Sequence, residues 1–101
     1  MGAPNVLFVI TDQQRADTVA ALGNDIIYTP SLDRLVARGV FFDNAYSTCP
    51  VCIPARYTVR TGCEPTRTGV YGLMTWEGMH GEIEDRCGTY IATTMGKLGY
   101  R

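Results

Sequence analysis

The first apolar block of the chain, residues 6–10 in "NVLFVITD", is continuous rather than alternating. A short run rich in Val and Ile that closes on polar Thr11 and Asp12 predicts a strand buried on both faces, as in a parallel sheet. The period then changes. In "TPSLDRLVARG", Leu32, Leu35 and Val36 recur at helical spacing, with Thr29 as N-cap and Pro30 at the first helical position. Gly39 is placed to end that helix in the left-handed conformation. "GVFFDNAYS" predicts a second strand over residues 40–42, continuing toward Tyr46. Strand, helix, strand is the unit of a parallel α/β sheet.

Further on, "PARYTVRTG" predicts a helix opened by Pro54 and stopped by Gly62. Residues 63–82 are dense in glycine and turn formers and read as loop. A last helix is expected over residues 89–98, with Ile91, Met95 and Leu98 facing inward and Gly99 closing it. There is no internal repeat and no low-complexity segment.

Length and composition narrow the class. The chain has 101 residues, enough for at most one small domain. It is 46% hydrophobic and 19% charged, which is globular rather than disordered. A net charge of −1 offers no nucleic-acid surface and no basic membrane patch. The longest apolar run is far short of the roughly 20 residues that span a bilayer. "MGAPNVLFVI" lacks the basic lead and cleavage site of a signal peptide, and Val6 stands where a myristoylation signal wants Ser or Thr. A cytoplasmic location is expected, or a periplasmic or secreted one if a signal was removed. The ending "ATTMGKLGYR" turns toward a further element, which marks a fragment of a longer chain.

Two places could carry chemistry. Asp12 falls at the carboxyl end of the first expected strand, where α/β sheets collect ligands; a turn-capping Asp fits the position equally well. The other is "TCPVCIPARYTVRTG", residues 48–62. Its CxxC, Cys49 and Cys52, is the spacing of a redox pair or half a zinc site. A single CxxC is a weak signal, and Cys63 and Cys87 do not form a second one. For Cys63 and Cys87 the plain reading is free, mostly buried thiols. His80 reads as a solvent-exposed loop histidine, and Arg15 and Asp17 as a loop salt bridge.

A second reading of the same stretch uses more residues. C-I-P-A-R at residues 52–56, followed by Thr61-Gly62, resembles the sulfatase signature C-x-P-x-R with its downstream T-G. The resemblance extends to "PNVLFVITDQQRAD", "TPSLDRLVARGVFFDNAYS", "TRTGVYG" and the final "LGY", in the right order. Only residues 73–87 match weakly, as a variable loop. The resemblance implies an alkaline-phosphatase-like α/β fold, a mostly parallel sheet flanked by helices. Residues 1–101 would be the N-terminal fragment of that catalytic domain, with the remainder absent.

The resemblance also implies the reaction. A maturation enzyme oxidises the motif cysteine, here Cys52, to formylglycine. The aldehyde hydrates, one hydroxyl attacks the sulfur of a sulfate ester beside a divalent metal, and the other then expels sulfate. A plain thiol has no second hydroxyl for that elimination. Arg56, one helical turn after Cys52, would bind the diol or its sulfated form. Metal ligands would be Asp12, Gln13 and the oxygen on residue 52, with Ca2+ first and Mg2+ or Mn2+ possible. The implied partners are a sulfated small molecule or carbohydrate and the formylglycine-generating enzyme, with no nucleic acid and no membrane.

Three departures stand out. Gln13 replaces a second aspartate, as in related phosphonate monoester hydrolases and some bacterial sulfatases, so a phosphonate or phosphate ester hydrolase is the alternative within the superfamily. Ile53 replaces a small residue and Arg60 a hydrophobic one, both inside the segment that maturation reads. The family's later lysine and remaining metal ligands lie beyond "LGY", so the fragment alone is expected to be inactive. Tyr71 and Trp76 either line a substrate pocket or cap the core.

Overall fold

The computed structural model describes residues 4–101. Its elements are a 3-10 turn, Ala20–Leu22, and five helices: α1, Pro30–Arg38; α2, Cys52–Thr61; α3, Pro65–Thr68; α4, Met79–Cys87; and α5, Ile91–Lys97. The chain divides into two units, the first ending at Asn44 and the second Ala45–Arg101.

The expected parallel sheet is absent: no strand occurs among the described residues. Val6, Leu7, Phe8 and Val9 are 63% to 87% exposed, and Val40 and Phe42 are exposed as well. A strand exists only through a ladder of bonds to a neighbouring strand, and one buried on both faces also needs cover on each side. Neither requirement is met by the described residues, so the alkaline-phosphatase-like fold class does not hold for this structure. The leader reading at positions 1–3 falls outside the described residues.

In the first unit, α1 lies where its pattern places it, but its caps differ from expectation. Thr29 Oγ1 accepts from the Ala20 backbone N–H at 2.8 Å and donates to Asp33 Oδ1 at 2.9 Å. The same carboxylate oxygen accepts from Ala21 N–H at 2.9 Å. Thr29 holds the N-cap position as expected, but its side chain ties the 3-10 turn to α1 and makes no cap bond to the helix N–H groups. Gly39 ends the helix with φ −112°, extended rather than left-handed. Leu35 is 69% exposed, so only Leu32 and Val36 of the predicted face are partly covered. Arg15 and Asp17 form the expected ion pair.

The second unit holds the core: Tyr57, Val70, Met79 and Ile83, with Ile53, Cys87 and Tyr90 packed against it. α2 begins at Cys52, two residues before the proline expected to open it. Pro54 is harmless there, because the first N–H groups of a helix have no intrahelical acceptor. Gly62 stops α2 at φ +68°, its N–H bonding Thr58 O at 2.8 Å. Residues 63–82, expected as loop, contain α3 and the first turn of α4. Met79 and Ile83 are buried one turn apart and Cys87 follows one turn later. α5 is shorter than expected, and Ile91 and Leu98 are exposed while Met95 is partly covered. It closes as anticipated at Gly99, φ +89°, with Gly99 N–H to Gly96 O and Tyr100 N–H to Met95 O.

Candidate functional site

The motif cysteine occupies the first turn of α2. Cys52 is the first residue of the helix and is exposed, following Val51 in extended conformation. Ala55 N–H already bonds Val51 O at 3.0 Å, and Pro54 has no N–H. Helix geometry directs the N–H groups of Cys52 and Ile53 out of the end of α2, the positive end of its dipole. An anion placed there gains both terms.

Arg56 is four residues after Cys52 on the same helix, half-buried and engaged with its surroundings. Residues at i and i+4 share a face, so an anion at the α2 N-terminus has a guanidinium on its side of the helix. Pro54 and Tyr57 are the buried residues of α2, and they turn the opposite face into the core.

Arg60, singled out for replacing a hydrophobic residue, has a structural partnership. Its guanidinium lies 5.5 Å from the Tyr57 ring centroid and 5.2 Å from that of Tyr90. Cation–π contact with two rings accounts for a charged residue at this position.

Asp12 and Gln13 lie in the first unit, in a bend. Gln13 has φ +52°, the one positive φ on a residue other than glycine among those described. That region is strained for a side chain with a Cβ, and such strain concentrates at functional positions. The two residues offer a carboxylate and an amide oxygen. A hard divalent cation takes about six to eight oxygens. No group of three or more His, Cys, Asp or Glu able to hold a metal occurs among the described residues. The donors present do not fit a complete metal site.

His80 is exposed, as expected, but it sits in the first turn of α4 rather than in a loop. Its Nδ1 is 2.7 Å from Tyr57 Oη, and its carbonyl accepts from Tyr90 Oη at 2.8 Å. This cluster went unread in the sequence; the signal that could have found it is the i, i+4, i+8 spacing of Met79, Ile83 and Cys87. Tyr71 and Trp76 are exposed and are not members of the core cluster. All four cysteines are free thiols, with Cys63 and Cys87 half-buried rather than buried. No described helix is long and apolar enough to cross a membrane.

Comparison with known proteins agrees with the motif. The sulfatase family model matches residues 4–101. The chain is 34% identical over 97 residues to an arylsulfatase of Clostridium perfringens, covering 96% of this chain and 19% of that protein. It is 32% identical over 97 residues to an ulvan-active sulfatase of Formosa agariphila, covering 96% and 18%. It is 38% identical over 117 aligned residues to the N-acetylgalactosamine-6-sulfatase of Homo sapiens, covering 97% and 22%. The chain thus spans about a fifth of the length of these relatives. No solved structure matches it. With the family model matched from residue 4 to the last residue, and with C-x-P-x-R opening α2 inside that span, the chain belongs to the sulfatase family.

Proposed function

We propose that this chain is the nucleophile-bearing, N-terminal part of a sulfatase catalytic domain that hydrolyses a sulfate ester through formylglycine made from Cys52. The observation that carries the reading is the placing of Cys52: exposed at the first residue of α2, with Arg56 one turn on, in a chain of this family. The Cys52 and Ile53 N–H groups and the helix dipole hold the sulfate anion. Arg56 adds a guanidinium, which matches a sulfate's oxygens as it does a phosphate's. Both features stabilise charge that builds on the non-bridging oxygens as sulfur changes partners.

A divalent metal, calcium first, would take Asp12 and Gln13 as two of its oxygen donors. The rest of its shell would have to come from outside the described residues. The strained backbone of Gln13 beside Asp12 supports a functional rather than incidental role for this pair. The residues given to the site are thus Cys52 and Arg56 for chemistry, with Asp12, Gln13 and residue 52 toward the metal. The partners are a sulfated small molecule or carbohydrate and the enzyme that makes formylglycine.

The test is peptide mass spectrometry across residue 52, on protein produced in its native host. Aldehyde in place of thiol is the expected result. A fully alkylatable thiol would count against the reading and return weight to a Cys49/Cys52 redox pair. Assay against aryl sulfate, phosphate monoester and phosphonate monoester then separates sulfatase from the alternative that Gln13 raises.

A further inference from the structure

Four side chains with no part in the proposed reaction close a ring around α2. Tyr57 and Arg60 come from α2, His80 from the first turn of α4, and Tyr90 from the residue before α5. Tyr57 Oη is hydrogen-bonded to His80 Nδ1 at 2.7 Å. Tyr90 Oη donates to the His80 carbonyl at 2.8 Å. The Arg60 guanidinium completes the ring, 5.2 Å from the Tyr90 ring centroid and 5.5 Å from that of Tyr57. These contacts differ in kind from the rest of the α2 packing. Pro54 and Tyr57 bury the helix against the core, but apolar burial is non-directional and sets rotation about the helix axis only weakly. Hydrogen bonds and ring contacts have preferred angles as well as distances, and here they reach α2 from two other elements.

We propose that Tyr57, His80, Arg60 and Tyr90 are positioning residues for ester hydrolysis: their ring fixes the roll of α2, and with it the direction in which Arg56 meets the sulfate. The inference rests on the proposed reaction at residue 52. Cys52 and Arg56 ride on the same helix, so a roll of α2 carries both. At a helix radius of about 5–6 Å, a roll of about 10° moves a side chain by about 1 Å. A misplacement of about 1 Å can cost on the order of 100-fold in rate. None of the four residues touches the ester. Arg56 grips the sulfate in the ground state as well as in the transition state, so a rolled helix weakens binding and slows the chemistry together.

The test uses the full-length enzyme from its native host, with aryl sulfate as the probe. Formylglycine at residue 52 is quantified by peptide mass spectrometry, and rates are expressed per folded, formylglycine-bearing molecule. Tyr57→Phe keeps the ring under Arg60 and removes only the bond to His80. It should raise KM at least about threefold and lower kcat/KM about tenfold. Partial unfolding lowers kcat alone and leaves KM where it was, so the rise in KM is what a merely structural role would not produce. His80→Ala should behave alike. His80→Asn keeps a hydrogen-bonding group near the Nδ1 position and should recover most of the loss. An unchanged KM in Tyr57→Phe and His80→Ala would overturn the proposal, as would an equal loss in His80→Asn and His80→Ala. An unmodified thiol at residue 52 of the unsubstituted enzyme would bring down the proposed reaction and this proposal with it. Formylglycine in place, with variants that match the unsubstituted enzyme, would bring down this proposal alone.

Discussion

Tyr57 and His80 join two helices through one polar contact, Tyr57 Oη to His80 Nδ1 at 2.7 Å, with the rings 5.7 Å apart. The tyrosine ring is buried and the histidine is exposed, so the bond sits at the rim of the core. Tyr57→Phe keeps the ring and removes the bond, and should cost about 0.5–1.5 kcal/mol. His80→Ala should cost a similar amount, and the double variant should cost less than the sum of the two. Urea midpoints of the four proteins test the coupling; strict additivity would show that the contact contributes nothing.

Ile83 is fully buried and lies one turn from Met79 on the face of α4 that meets the core. Ile83→Ala should destabilise the second unit by roughly 2–4 kcal/mol through lost burial and the cavity left behind. Trp76→Ala removes a larger side chain that stands outside the core cluster, and should cost less. Thermal unfolding of both variants gives the order.

Gly69 has φ +77°, and a Cβ there would run into Arg86 Nη1. The arginine tip can swing away, but only by giving up its bond to Thr68 O. Gly69→Ala should therefore cost about 1–2 kcal/mol, the left-handed penalty plus a share of that bond. Gly62 has a similar φ of +68° and open space where a Cβ would go, so Gly62→Ala should show the backbone penalty alone. The difference between the two denaturation midpoints isolates the Arg86 contact.

Stability should fall on the alkaline side. Burial first, then the Cys63 thiol, raise Cys87 above its ordinary value of 9.0. Burial first, then Tyr57, raise Tyr90 above 10.0. As pH rises, the native state keeps these protons after the unfolded chain has lost them. The contribution is complete below the unfolded values and is lost as pH climbs through the folded ones. Urea midpoints from about pH 8 to pH 11 should decline, beginning near the cysteine value. Cys87→Ser should flatten the first part of that decline and Tyr90→Phe the later part.

In the enzyme, Cys52→Ala should abolish sulfate-ester hydrolysis, while Cys49→Ala should leave formylglycine formation and activity in place. Arg56→Lys keeps the charge but not the planar fork, and should lower kcat/KM by at least about tenfold. Equal loss in both cysteine variants would favour the redox reading of CxxC.

Local signals survived the folding of the chain where they act through near neighbours. The α1 pattern, the Gly62 stop and the Gly99 closure depend on spacing and on φ within one turn, and they stand. The Arg15–Asp17 pair stands for the same reason. α4 was hidden because Gly78 and Gly81 resemble turn punctuation, although Met79 and Ile83 carry helical spacing. The two strands were expected from apolar runs alone, and their burial required partners that the described residues do not contain.

The sequence by itself determined the family, because C-x-P-x-R and the blocks around it are covalent order and need no packing to be read. It determined the helix that carries Arg56, while the structure starts that helix at Cys52, two residues before the expected Pro54. Only the tertiary structure decided that Tyr57 reaches His80 and that Arg60 reaches Tyr90. Each of these joins residues far apart along the chain. Spacing carries no information about such pairs, because they follow from which apolar faces bury one another and not from local backbone preference.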